Sequence, residues 1–212
     1  MNFYDNHILP RMIDLICGHR AFAEQRAKMI PKASGRVLEV GYGTGTSLQW
    51  YDRDKVSELV ALDPASGAMA MAAKRERNLS FPVEHVSLRG EEIPLDAESV
   101  DTVVVACTLC TIPDVITAVQ GMHRVLKSGG KLLFMEHGRS PRPAIEKWQR
   151  RLNKPWGFAF GGCTLLRRPP DLLCDNGFEI GETEELEIPK PPLIPGITLV
   201  KHNYLGVARR TN

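Results

Sequence analysis

The chain has 212 residues, 43% of them hydrophobic and 25% charged, with a formal net charge of +2. That length suits one domain with a sizeable core, and the composition excludes a disordered chain. The small net charge, with no block of like charges, excludes a nucleic-acid track, and "KRER" at 74–77 reads as the solvated end of a helix.

No long apolar run opens the chain: Asp14 interrupts "MIDLIC", and Gly18, His19 and Arg20 follow it. Neither a signal peptide nor a membrane span is expected. Pro10 fits the first turn of a helix whose apolar residues Met12, Ile13, Leu15, Ile16, Phe22 and Ala23 recur up to a break at Pro31. Alternation of strands and helices follows. "RVLEV" reads as a buried strand, "SLQWYD" as a short helix and "ELVALD" as a second strand. "SGAMAMAAKRERN" reads as a helix capped by Ser66 or Gly67, "VEHVSL" as a third strand and "SVDTVVVA" as a fourth. Val115, Ile116, Val119, Met122, Val125 and Leu126 mark one face of a helix ending at "KSGG", before a fifth strand at "KLLFME". This order predicts an open α/β sheet with parallel pairing.

After Glu136 the periodicity stops. Residues 137–170 mix prolines, glycines and aromatics, as a decorated connection or a substrate lid would. A helix at "PPDLLCDNGF", bounded by proline and Gly177, and strands at "EIGETEELEI" and "ITLVKHNYLGVARR" close the chain. Five scattered cysteines suit a reducing cytoplasm rather than a disulfide framework. Cys107 and Cys110 form a C-x-x-C with no second pair or His cluster near it in sequence, so core packing is the reading and no metal is expected.

The loop after the first strand carries Gly41, Gly43 and Gly45, which let the backbone turn sharply and approach a ligand. A dinucleotide fingerprint would place its third glycine at Thr46, and no lysine follows to make a P-loop. Glu39 sets a carboxylate before the turn, suited to an amine rather than a diphosphate. Asp63 ends the second strand, where a carboxylate accepts from ribose hydroxyls. Amine plus ribose points to S-adenosylmethionine (SAM).

With these motifs in order, the sequence resembles the class I SAM-dependent methyltransferases. "VLEVGYGTG", "LVALDPASGAM", "LRGEEIPL", "SVDTVVVACTLCTI" and "VLKSGGKLLFMEH" are similar to that family's successive motifs across 37–137. The resemblance implies a Rossmann-like, doubly wound, seven-stranded and mostly parallel sheet, with helices on both faces and its last strand antiparallel. It implies one domain over 1–212: an N-terminal helical cap (1–35), a cofactor-binding core (36–137), a variable substrate or lid segment (138–177) and C-terminal strands (178–212). Carried over, Gly41, Gly43 and Gly45 face the methionine portion of SAM, Glu39 orients the loop and the amine, and Asp63, followed by Pro64, holds the ribose. Gly90 and Glu91 lie beside the adenine, and Ala106 lies near the cofactor. Tyr42, Arg89 and Ser128 depart from the family pattern; Tyr42 either covers the cofactor or points to solvent.

A narrower resemblance, carried by "GYGTGTSLQWY", "CTLCTIPD", "FMEH", "GGCTLLRR" and "NYLGVARR", is to the thiol S-methyltransferases of animals and their bacterial relatives. Cys110, Glu136, His137, Cys163 and Leu165 fall at matching places, while the apolar N-terminal anchor is missing and "KHNY" replaces the relatives' "P-H-I-Y/M". Quinone C-methyltransferases and phospholipid N-methyltransferases share much of the skeleton, and a non-catalytic SAM-binding module is a further reading. A small-molecule acceptor in the cytoplasm is expected, without nucleic acid or an integral membrane segment; the oligomeric state is open.

For the chemistry, His137 is the first candidate base or thiolate stabiliser, His202 the second, and Glu136 an orienting group. Trp148, Trp156, Phe158 and Phe160 form either an apolar wall over the acceptor or simple core packing. Tyr4 and His7 are candidates to close over the cofactor, Tyr4 as a cation–π partner of the sulfonium.

Overall fold

Each central strand is apolar on both faces, and the fold follows from covering both. A computed structural model describes residues 9–77, 79–188 and 197–211. Its strands are β1 (Gly35–Val40), β2 (Val56–Leu62), β3 (Val83–Val86), β4 (Val100–Ala106), β5 (Leu126–His137), β6 (Phe178–Glu187) and β7 (His202–Arg210). The helices are α1 (Leu9–Cys17), α2 (Arg20–Met29), α3 (Ser66–Glu76), α4 (Val115–Val125), α5 (Pro143–Ala159) and α6 (Pro169–Cys174).

The seven strands form one sheet in the order β3-β2-β1-β4-β5-β7-β6. β1 to β5 pair in parallel, and β7 runs antiparallel to both β5 and β6. The last strand is therefore antiparallel as expected, inserted one place in from the edge. Strand side chains alternate between two cores. Leu38, Val60, Val103 and Phe134 pack with α4 and α6 residues such as Met122 and Leu173. Val37, Leu59, Val104 and Leu133 pack with Phe22 and Met29 of α2 and Ala72 of α3. Strand order reverses between β1 and β4, so their carboxyl ends diverge into a crevice.

Four elements differ from the sequence expectation, one of them Ile197–Val200, read as the start of the last strand and found as a short 3₁₀ turn before β7. The N-terminal helix is two helices, because the chain breaks at Gly18–His19 and His19 Nδ1 caps α2 by accepting the Ala21 N–H at 3.3 Å. α4 stops at Val125, and "KSGG" joins β5 because Leu126 is already extended and pairs with Val100. The segment read as irregular holds the longest helix, the 17-residue α5, with Pro143 in its first turn and Pro155 inside it. An interior proline ordinarily costs about 3 kcal/mol in a helix, which is why the sequence does not advertise this one.

Candidate functional site

The crevice begins at the glycine loop. Gly41, Gly43 and Gly45 all have positive φ (75°, 57° and 73°), which side-chain-bearing residues resist. A Cβ on Gly41 would lie 2.1 Å from Thr108 Oγ1, so glycine lets the loop pack against the turn after β4. Asp63, at the end of β2, fixes the loop from the other side. Its Oδ2 accepts the Gly43 N–H and its Oδ1 the Ala65 N–H, both at 2.8 Å. Burial pushes its carboxyl up, and the two N–H groups offset part of that.

These groups border a cavity of 540 Å³, within the range of small-molecule and cofactor pockets. Gly41, Tyr42, Gly43, Asp63, Pro64, Glu91 and Ala106 line it. Gly45 and Gly90 do not: a Cβ on Gly45 would meet Leu48 and Ala72, and one on Gly90 would meet Ile112 and Val40. Glu39 also lies off the cavity, taking the Tyr51 hydroxyl at 2.9 Å in the core, where burial raises its pKa to about 7. It braces Tyr51, behind the loop. The Tyr42 side chain is buried, donating to Glu76 Oε1 at 2.7 Å beside the His85 ring. It thus neither covers the cavity nor points to solvent. Tyr4 and His7 lie outside the described residues.

Sequence reasoning missed two charged side chains that the N-terminal helices bring to this cavity. The Asp14 carboxylate takes the Thr44 hydroxyl and pairs with Arg75 at 3.1 Å. Burial pushes it up, but the Arg75 and Thr44 hydrogen bonds more than offset this and leave it below the usual carboxylate range. Arg26, only 2% exposed, donates to Cys17 O at 2.6 Å, while its Nε has no partner among the described residues. A buried guanidinium with an unused donor invites an anion. The only sequence signal was a charged residue breaking an amphipathic helix face.

A second, apolar cavity of 90 Å³ is lined by Ile16, Phe22, Trp156, Val200, His137 and Cys163, among others. It shares Ile13, Cys17, Cys107, Thr111 and Phe160 with the first. His137 ends β5 here, its Nε2 3.2 Å from Cys163 Sγ. Trp156 Nε1–H donates to the same sulfur at 3.3 Å. Hydrogen bonding from Cys110, then from His137 and Trp156, brings the Cys163 thiol down to about 4 against the effect of burial. Burial pulls His137 down, yet its bond to Cys163 and the nearby negative charge leave it raised. The two make a thiolate–imidazolium pair.

Glu136 stands behind them, its Oε1 accepting the Thr108 and Leu109 N–H groups at 2.7 and 2.9 Å. Burial raises its pKa to about 7. It shapes the turn entered through Cys107, a non-glycine residue at φ 59°. His202 must be corrected, because it lines neither cavity. Its ring stands edge-on to Tyr204 and faces Glu185, and burial lowers its pKa. Of the four aromatics, Trp156 and Phe160 stack at 4.1 Å over the small cavity, and Phe158 sits at the rim of the large one, 93% exposed. Trp148 is not part of either wall and packs under Arg151. The Cys110 thiol donates to the Cys107 carbonyl at 3.9 Å and lies beside the Cys163 sulfur.

A family model described as a methyltransferase domain matches residues 38–134. Thiol S-methyltransferase TMT1B of Homo sapiens is 32% identical over 66% of this chain and 59% of its own length. A phosphatidylethanolamine N-methyltransferase of Cereibacter sphaeroides is 30% identical over 58% of this chain and 63% of its own length. The chain spans 39 to 66% of the length of the first curated relatives it matches. In fold it is similar to a geranyl diphosphate C-methyltransferase of Streptomyces coelicolor A3(2), with a TM-score of 0.68 at 16% identity, covering 90% of this chain and 77% of that one.

Proposed function

Since this chain belongs to the class I SAM-dependent methyltransferases, we propose that it transfers a methyl group from SAM to hydrogen sulfide or a small or lipophilic thiol. The residues around the larger cavity fit SAM. Each Asp63 oxygen accepts one backbone N–H and keeps a second lone pair for a ribose hydroxyl. Asp14 would take the amine and the unused Arg26 Nε–H the carboxylate of the methionine portion. Bound SAM supplies a methyl on a cationic sulfonium, ready for in-line displacement.

The observation that carries the thiol reading is the small apolar cavity, which shares lining residues with the larger one and ends at the His137–Cys163 pair. Its 90 Å³ suits a hydrogen sulfide or short thiol head far better than a quinone ring, since ligand pockets for such molecules run to several hundred Å³, about 300 or more. A thiol needs little activation: with a free pKa of about 8.5, it ionises readily beside an imidazole. A thiol that enters as its thiolate, its proton left to solvent, would be held by the His137 imidazolium, while Trp156 and Phe160 exclude water and fix the acceptor.

Methylation of a phospholipid amine is the second reading, favoured by the exposed Phe158 at the cavity rim and by the phosphatidylethanolamine-specific relative. Among the described residues no helix is long and apolar enough to cross a membrane. A cytoplasmic location belongs to the proposal and is supported by five free cysteines.

Labelled SAM offered with hydrogen sulfide, a short alkanethiol, a demethylated quinone and phosphatidylethanolamine tests the readings together. Labelled methanethiol or thioether supports the thiol reading. Transfer only to the quinone or lipid overturns it, and SAM binding without transfer to any acceptor points to a cofactor-sensing module.

A further inference from the structure

Three side chains from three separate elements meet at the floor of the small cavity: Cys110 from the turn after β4, His137 from the end of β5, and Cys163 from the loop after α5. Their sulfur and ring-nitrogen atoms all lie within 4.8 Å of one another, and all three residues are buried. The turn that carries Cys110 is held from below by Glu136 through two backbone N–H groups. The loop that carries Cys163 is anchored by Asn153, whose Oδ1 accepts from the Thr164 hydroxyl and the Leu165 N–H.

We propose that Cys110, His137 and Cys163 are three ligands of a zinc ion whose fourth position opens on the apolar cavity. Tetrahedral zinc, with Zn–S near 2.3 Å and Zn–N near 2.0–2.1 Å, sets its ligand atoms about 3.5–3.8 Å apart. The His137–Cys163 separation is 3.2 Å and the whole set falls within 4.8 Å, so side-chain adjustments of about 1 Å complete the geometry. Zinc binding would release the His137 and Cys110 protons, and the resulting two thiolates and neutral imidazole cancel the charge of a divalent cation, which a buried apolar setting requires. Trp156 Nε1–H, already directed at Cys163 Sγ, is the kind of second-layer donor that steadies a metal-bound thiolate. The donor set of two sulfurs and one imidazole selects zinc over magnesium or calcium.

Three protein ligands and one open position mark a site that takes a further ligand rather than a closed structural one. The other two thiols on the cavity wall, Cys17 and Cys107, hydrogen-bond each other and do not close it. What enters through the cavity is a small thiol, which would lose its proton on binding and present its sulfur as a thiolate. That last role rests on the thiol S-methyltransferase reading; the zinc site itself does not.

The full chain, stripped with a chelator under reductant, is titrated with zinc against a chromophoric chelator and separately with cobalt. One zinc per chain at sub-micromolar affinity is expected. The cobalt form should show tetrahedral d–d bands and a thiolate-to-cobalt charge-transfer band. Cys163→Ser and Cys110→Ser should each weaken zinc binding at least a hundredfold, while Cys174→Ser, on the exposed end of α6, should bind as the parent does. A cobalt spectrum without thiolate bands, or zinc binding unchanged in Cys163→Ser, overturns the site. This holds even if a variant folds poorly, because the cobalt spectrum is read on the unmodified protein. Thiol methylation that persists at full rate in a chain shown to bind no zinc removes the site and leaves the proposed function. Zinc binding without transfer to any thiol does the reverse.

Discussion

The two cavities share a wall yet are built by opposite means. The larger one is built around backbone: a glycine loop, its Gly43 N–H held by Asp63, at the carboxyl ends of adjacent parallel strands. The smaller is made of side chains, with a histidine, four cysteines and two stacked aromatics delivered by segments far apart in the chain. A backbone-built site is specified locally and serves a fixed cofactor. A side-chain-built site can be refitted by a few substitutions, and it is where the proposed function puts the acceptor.

The sharpest way to break this comparison is Asp63→Ala, which removes the acceptor for the Gly43 and Ala65 N–H groups. SAM affinity should fall more than about a hundredfold, or roughly 2.7 kcal/mol, by calorimetry. Near-parental binding would mean that the loop holds itself. His137→Gln should act only on the other side of the wall. Its kcat/KM for a thiol should drop about a hundredfold with SAM affinity within about twofold of the parent. Equal losses in both would erase the distinction between the cavities.

Glu39→Gln probes the support beneath the loop. Folded Glu39 holds its proton up to about pH 7, whereas its ordinary value is 4.5. Between those values the folded chain binds the extra proton, so this contribution to stability is fully present below 4.5 and lost as pH rises through 7. The glutamine variant has nothing to ionise and still accepts from Tyr51. Its Tm relative to the parent should therefore climb between about pH 5 and pH 8, by roughly 2–4 °C for each kcal/mol. A pH-independent difference would place that titration elsewhere. The smallest effect is expected of Trp156→Phe, which keeps the stacking on Phe160 and deletes the donor to Cys163. Turnover should fall about threefold, and the Cys163 pKa, read by pH-dependent alkylation, should rise. An unmoved alkylation profile would remove Trp156 from the thiolate's support.

The sequence by itself determined the α/β sheet, the glycine loop, Asp63 and the candidacy of His137. Strand burial, turn glycines and strand-end carboxylates are set by neighbours within a few residues, so they leave a periodic or positional trace. It misjudged α5, since Pro155 and the scattered aromatics hide a helix whose stability comes from packing rather than propensity. It also assigned Glu39 and Gly45 to a cofactor surface that they support from behind. Only the tertiary structure decided that Arg26 and Asp14 reach the large cavity, that His202 turns away, and that the Cys110 thiol meets His137 and Cys163. Those outcomes depend on how β5, β7 and the N-terminal helices dock on the sheet. No local period encodes that docking, because it is settled by the mutual burial of surfaces distant in the chain.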